Sequence, residues 1–83
     1  MYIVEVNKKA KKEIERLPTK DRQRVLKALQ VLWENPFVGK KLEGEYEDVW
    51  TLRVWPYRIL YVIYRERVTV VVIRVGHRQG VYK

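Results

Sequence analysis

The sequence predicts an α+β domain: an N-terminal strand, then an antiparallel helical hairpin packed on one face of a sheet of three to four antiparallel strands. Two observations carry this. The apolar spacing switches from a strand-like run to the i, i+4, i+7 spacing of a helix at Lys8, and returns to strand-like runs after Val49. Helix-ending residues, Pro18 and the pair Asn35 and Pro36, divide the helical stretch into two pieces joined by a short link.

Each element follows from its residues. Residues 2–6 are rich in β-branched side chains and read as a short strand. Ala10, Ile14 and Leu17 place one apolar stripe on a two-turn helix otherwise covered by Lys and Glu. Thr19 is the expected N-cap of a second helix, with Asp21 in its first turn. Val25, Leu26, Leu29, Leu32 and Trp33 form that helix's broad apolar face. Residues 36–48 read as a loop holding Gly39, Gly44 and the acidic residues Glu43, Glu45, Glu47 and Asp48. Strands are expected over Val49–Val54, Tyr57–Tyr64 and Val68–Val75, with turns at Trp55–Pro56 and Arg65–Arg67. Residues 76–83 read as a tail.

A chain of 83 residues is expected to form one domain over 1–83, and one this short buries only roughly 60% of the surface exposed on unfolding. Hydrophobic residues at 47% suffice for a globular fold and argue against disorder. With no cysteine there is neither disulfide nor thiolate metal site, which suits a reducing compartment. No apolar run approaches bilayer length and no secretory pattern opens the chain, so a soluble cytoplasmic protein is expected.

The net charge of +8 is unevenly spread. Residues 1–48 hold 11 Lys and Arg against 9 Asp and Glu, a balance of +2, whereas residues 49–83 hold 7 against 1, a balance of +6. A positive field concentrated on the β-rich half points to a polyanionic partner and salt-dependent binding.

Metal and nucleophile chemistry have little to work with. One histidine and no cysteine make no zinc site, and the acidic cluster at 43–48 matches no calcium or magnesium loop. No cofactor is expected. If Val49–Val54 and Tyr57–Tyr64 form a hairpin, Arg53 faces Arg58 and both project from one face of the sheet. Opposed like charges cost stability, and an anion bridging them supplies a reason for the pair. A three-residue turn at Arg65–Arg67 then pairs Arg58 with Arg74, and Arg78 shares the same parity. Guanidinium groups bind phosphate oxygens in a fork and stabilise charge that develops in phosphoryl transfer. Tyr82 is available to stack a base or move a proton, and His77 is a possible acid or base.

These residues carry a family resemblance. Leu17 and Pro18, then Leu42, Glu43 and Gly44, then the segments 50–54 and 57–61, then Val75, Gly76, His77 and Arg78 with Val81 and Tyr82, resemble the RelE/ParE toxin superfamily in order along nearly the whole chain. The resemblance implies a helical hairpin on an antiparallel sheet, and a toxin neutralised by a cognate acidic antitoxin. For RelE-type members it implies entry into the ribosomal A site and metal-independent cleavage of mRNA, the ribose 2′-hydroxyl attacking the adjacent phosphate. Carried over by position, Arg58 and Arg78 match arginines that stabilise the phosphate and the transition state, and Tyr82 matches a C-terminal tyrosine that orients the base or assists proton transfer. Arg53 joins them as a catalytic candidate, with Arg74, His77, Thr51 and Lys83 as RNA contacts. Arg53 and Thr51 stand where the best-studied branch has lysines. An arginine essentially never deprotonates, so the general base is left to His77, a tyrosine or an RNA group. ParE-type members inhibit DNA gyrase without ribonuclease activity, and a degenerate antitoxin-binding module is a third alternative. The retained Arg58, Arg78 and Tyr82 favour the nuclease branch.

Overall fold

The computed structural model describes residues 1–44, 48–77 and 80. Its elements in chain order are β1 (Ile3–Val6), α1 (Lys8–Glu15), α2 (Thr19–Glu34), a 3-10 turn (Pro36–Val38), β2 (Lys40–Lys41), β3 (Trp50–Val54), β4 (Tyr57–Tyr64), a second 3-10 turn (Arg65–Arg67) and β5 (Thr69–His77). The strands form a single five-stranded sheet in the order β1-β5-β4-β3-β2. β1 runs parallel to β5, and every other neighbouring pair is antiparallel.

The α+β class and the helical pair on a largely antiparallel sheet hold, but the sheet has more strands than expected. One extra strand is β1, which enters the sheet beside the last strand rather than standing apart. The other is β2, inside the segment expected to be loop, where Lys40 pairs with Thr51 and Lys41 with Trp50. Gly39 permits that approach. A Cβ there would collide with the Tyr61 phenol oxygen and lie 2.6 Å from the Thr51 carbonyl oxygen.

Local sequence explains the helix ends. The Asn7 side chain accepts the Ala10 N–H at 2.8 Å and starts α1. Thr19 is not the cap of α2: it is the first helical residue, and Pro18 precedes it without a side-chain cap. Asn35 ends α2 in an extended conformation, and its side chain accepts the Phe37 N–H at 3.1 Å, which starts the 3-10 turn.

The core follows from strand alternation. Ile59 and Tyr61 of β4, with Val70, Val72 and Val75 of β5, pack against Ala10, Ile14, Val25 and Leu32 of the helices. Tyr61 is the largest fully buried side chain, and its hydroxyl donates to the Pro36 carbonyl at 2.7 Å. Burial pushes this phenol up to about 12, against a smaller lowering by hydrogen bonding to the Gly39 backbone.

The β4–β5 connection takes four residues rather than three, because Val68 adopts a left-handed conformation (φ 48°) after the 3-10 turn. A β-branched residue is strained there, and Val68 is 44% exposed, so its side chain recovers little by packing. Val68→Gly is therefore expected to raise stability by about 1 kcal/mol, read as a higher urea midpoint with an unchanged slope. Tyr61 gives a second expectation. Its folded pKa lies above the ordinary 10.0, so its share of stability is complete below that value and declines as pH rises towards 12. Urea midpoints measured across this range should fall more steeply for the unaltered chain than for Tyr61→Phe. The Phe variant should also be weaker at neutral pH by about 1–3 kcal/mol, because the buried Pro36 carbonyl loses its donor.

Candidate functional site

The residues of opposite parity to the core build the other face of the sheet. On β3 these are Thr51 and Arg53; on β4, Arg58 and Leu60; on β5, Arg74 and Gly76. Arg53 lies directly across from Arg58, as the hairpin register predicts. Arg58, however, pairs with Gly76, and Arg74 pairs with Leu60. Two single-residue slips cause this: the four-residue connection displaces the register once, and a bulge between Leu60 and Tyr61 that skips Ile73 displaces it again. Together they restore the parity, so Arg74 stays on the expected face but one pair along from Arg58.

Arg74 is also engaged elsewhere. Its Nε donates to a Glu13 carboxylate oxygen at 3.1 Å, and its terminal NH2 lies 3.1 Å from the same oxygen. The other Glu13 oxygen accepts the Val75 N–H at 2.8 Å. α1 thus holds this arginine in an internal ion pair. Among the described residues, Lys40, Arg53 and Arg58 have no ion-pair partner.

Thr51, Arg53 and Arg58 line one open depression of about 300 Å³ together with Val38, Gly39, Lys40 and Leu52. Lys40 belongs to this group because its partner across the β2–β3 ladder is Thr51, and directly opposed residues share a face. Thr51 is 4% exposed, and its hydroxyl is buried without a hydrogen-bond partner among the described residues. Sequence reasoning overlooked Lys40 because it stood in an apparent loop. The available signal was Gly39 just before it, marking a close backbone approach.

His77 does not join the arginines. It pairs with Tyr57, whose hydroxyl points to the helices and donates to Asp21 of α2 at 2.9 Å. The two rings meet edge to face at 6.1 Å, so His77 shares the Tyr57 face, opposite in parity to Arg58. The hydrogen bond to Asp21 holds the Tyr57 phenol above its ordinary value, with burial and the carboxylate charge adding to it and Arg24 opposing. Arg78, Tyr82 and Lys83 lie outside the described residues, as do Glu45 and Glu47 of the acidic cluster.

The arrangement can hold an anion. It presents three unpaired cations beside a hydroxyl seeking a partner, on a surface where two guanidinium groups oppose one another.

Comparison with known proteins gives one answer at every level. A family model described as the ParE toxin of the parDE type II toxin–antitoxin system matches residues 4–82. The toxin RelG of Mycobacterium tuberculosis is 34% identical over 84 residues, covering 99% of this chain and 97% of RelG. Among solved structures, the fold is similar to a chain of the RelBE2 toxin–antitoxin complex of M. tuberculosis. That match has a TM-score of 0.86 and 35% identity, covering 93% of this chain and 91% of the other. The isolated E. coli RelE toxin matches with a TM-score of 0.82 and 31% identity, covering 99% and 92% respectively. No helix among the described residues is long and apolar enough to cross a membrane. Shared strand order, a family match from residue 4 to residue 82 and relatives at 31–35% identity leave one assignment: the chain is a toxin of the RelE/ParE superfamily of type II toxin–antitoxin systems.

Proposed function

We propose that this chain is a ribosome-dependent endoribonuclease that cleaves mRNA in the A site without a metal, through attack of a ribose 2′-hydroxyl on the neighbouring phosphate. The supporting observation is the Arg53 and Arg58 pair, directly opposed across β3 and β4 and free of ion-pair partners among the described residues. Placing two like charges together costs stability, and a phosphodiester between them reverses the sign of that cost. In phosphoryl transfer the protein's contribution is chiefly positioning and charge stabilisation, which guanidinium groups supply without exchanging protons.

In this reading Arg58 grips the scissile phosphate, and Arg53 binds the chain beside it. Arg78 and Tyr82 complete the site from the C-terminal segment, Arg78 on the phosphate and Tyr82 on the base, with Lys83 as a further contact. Arg74 serves chiefly as a strut for α1, since its guanidinium is already held by Glu13. Thr51 touches the RNA through its hydroxyl. His77 contributes at most to the margin of the surface, because it faces the Tyr57 side.

The partner is an acidic antitoxin. The similarity to a chain taken from a toxin–antitoxin complex supports this, and so does the net charge of +8. Such a partner also covers apolar side chains left in solvent, among them Ile3, Leu26, Val31 and Trp33. The toxin acts where translating ribosomes are, in the cytoplasm.

The test is a translation-coupled cleavage assay with purified ribosomes and a defined message. Cleavage is expected with the unaltered chain, and Arg58→Ala should lower its rate by about 10²–10³-fold while the thermal melt is unchanged. Intact message on ribosomes, together with inhibition of gyrase supercoiling, would overturn this reading in favour of a gyrase-directed toxin.

A further inference from the structure

We propose that Lys40 is the proton donor of this site, its ammonium protonating the 5′-oxygen that leaves when the RNA chain is cut. The proposal rests on the nuclease reading above and adds a residue that the arginine constellation does not contain.

Geometry comes first. β2 is only two residues long, and its register sets Lys40 against Thr51, one step along the same face from Arg53. Lys40, Thr51, Arg53 and Arg58 line the same depression. Tyr61 and Gly39 fix this register, because Gly39 alone can sit against the Tyr61 phenol and the Thr51 carbonyl. Lys40 is exposed, so its four-carbon stem is free to swing over the depression. The Thr51 hydroxyl, buried and unpaired, is the polar group beneath it. An unsatisfied buried hydroxyl is costly, and a phosphate oxygen or the Lys40 ammonium drawn inward satisfies it.

Chemistry then singles out Lys40. Cutting RNA through the 2′-oxygen requires one proton to leave and another to arrive. The 2′-oxygen forms a bond to phosphorus as its proton passes to water. The bond from phosphorus to the 5′-oxygen breaks, and its electron pair stays on that oxygen. The 5′-oxygen takes a proton from the Lys40 Nζ, which is recharged from solvent. The products are a 2′,3′-cyclic phosphate and a 5′-hydroxyl, with no change of oxidation state. Arginine cannot fill this role, since it holds its protons at any working pH. An alcohol is nearly as weak an acid as water, pKa ~15.7, whereas a lysine ammonium ordinarily titrates at ~10.4, so transfer to the departing oxygen runs downhill. The charged groups facing Lys40 across the depression are Arg53 on β3 and Arg58 on β4. No carboxylate or imidazole lines the depression among the described residues, and His77 shares the opposite face with Tyr57.

The experiment compares the unaltered chain with Lys40→Arg in single-turnover cleavage on ribosomes, using two messages. One is ordinary RNA. The other carries sulfur in place of the bridging 5′-oxygen at the cleaved position, giving a thiolate leaving group that needs no proton. On ordinary RNA, Lys40→Arg should bind as tightly as the unaltered chain but cleave about 100-fold more slowly. On the sulfur-bridged message the two should cleave at equal rates. The chain has no cysteine, so Lys40→Cys can be aminoethylated at that position alone, and the resulting lysine analogue should restore cleavage of ordinary RNA. Three results overturn the proposal while leaving the nuclease reading intact. They are full activity of Lys40→Arg, a loss of cleavage that merely follows a loss of binding, and a defect that persists on the sulfur-bridged message. Absence of cleavage by the unaltered chain overturns both.

Discussion

The buried phenol of Tyr61 holds the layers of this small protein in place. Its ring lies in the core between helices and sheet, stacked against Trp50 with ring centres 6.4 Å apart. Its hydroxyl reaches past the end of α2 to the Pro36 carbonyl. That one contact joins the central strand, the exit of the long helix and the segment that becomes β2. It also excludes any side chain at residue 39, so the backbone of β2 is drawn against β3. Replacing water with a carbonyl partner keeps the buried hydroxyl satisfied, and the tightness of the contact sets the edge of the sheet. The basic face inherits its geometry from this arrangement, because Arg58 and Leu60 flank the core residues Ile59 and Tyr61 with alternating parity.

β5 shows how a sheet can tolerate irregularity without losing its sidedness. A one-residue displacement in an antiparallel pair sends every later side chain to the wrong face. Here the longer turn at Val68 introduces one displacement and the bulge at Ile73 a second, so Val75 returns to the core beneath Ile59. The combined shift sets Gly76, with no side chain, opposite Arg58. Space therefore opens beside that guanidinium where a simple hairpin would have put a third one.

Much of this was readable in the sequence for physical reasons. Helix and strand periods differ sharply, so α1, α2, β3, β4 and β5 were visible, and the two-residue turn at Trp55 and Pro56 fixed Arg53 against Arg58. Arg74 was misplaced because no residue type announces a bulge, and Val68 gives no sign of a left-handed conformation in which β-branched residues are rare. β2 was hidden because it pairs through backbone groups over two lysines that resemble any solvated loop. His77 was grouped with the arginines through its nearness to Arg78 in sequence, although neighbouring positions on a strand point to opposite faces.

Glu13 closes what would otherwise be an opening for self-association. β1 is too short to accompany β5 beyond Val72, so the N–H of Val75 points out from a bare strand edge. The Glu13 carboxylate occupies that N–H and carries a charge into the position that an invading strand would need. Edge-to-edge polymerisation through this end of β5 would have to expel a carboxylate already neutralised by Arg74. A chain with 47% hydrophobic residues and a half-bare terminal strand is thereby kept from templating its own copies, and α1 acts as a fender for the sheet as well as a wall of the core.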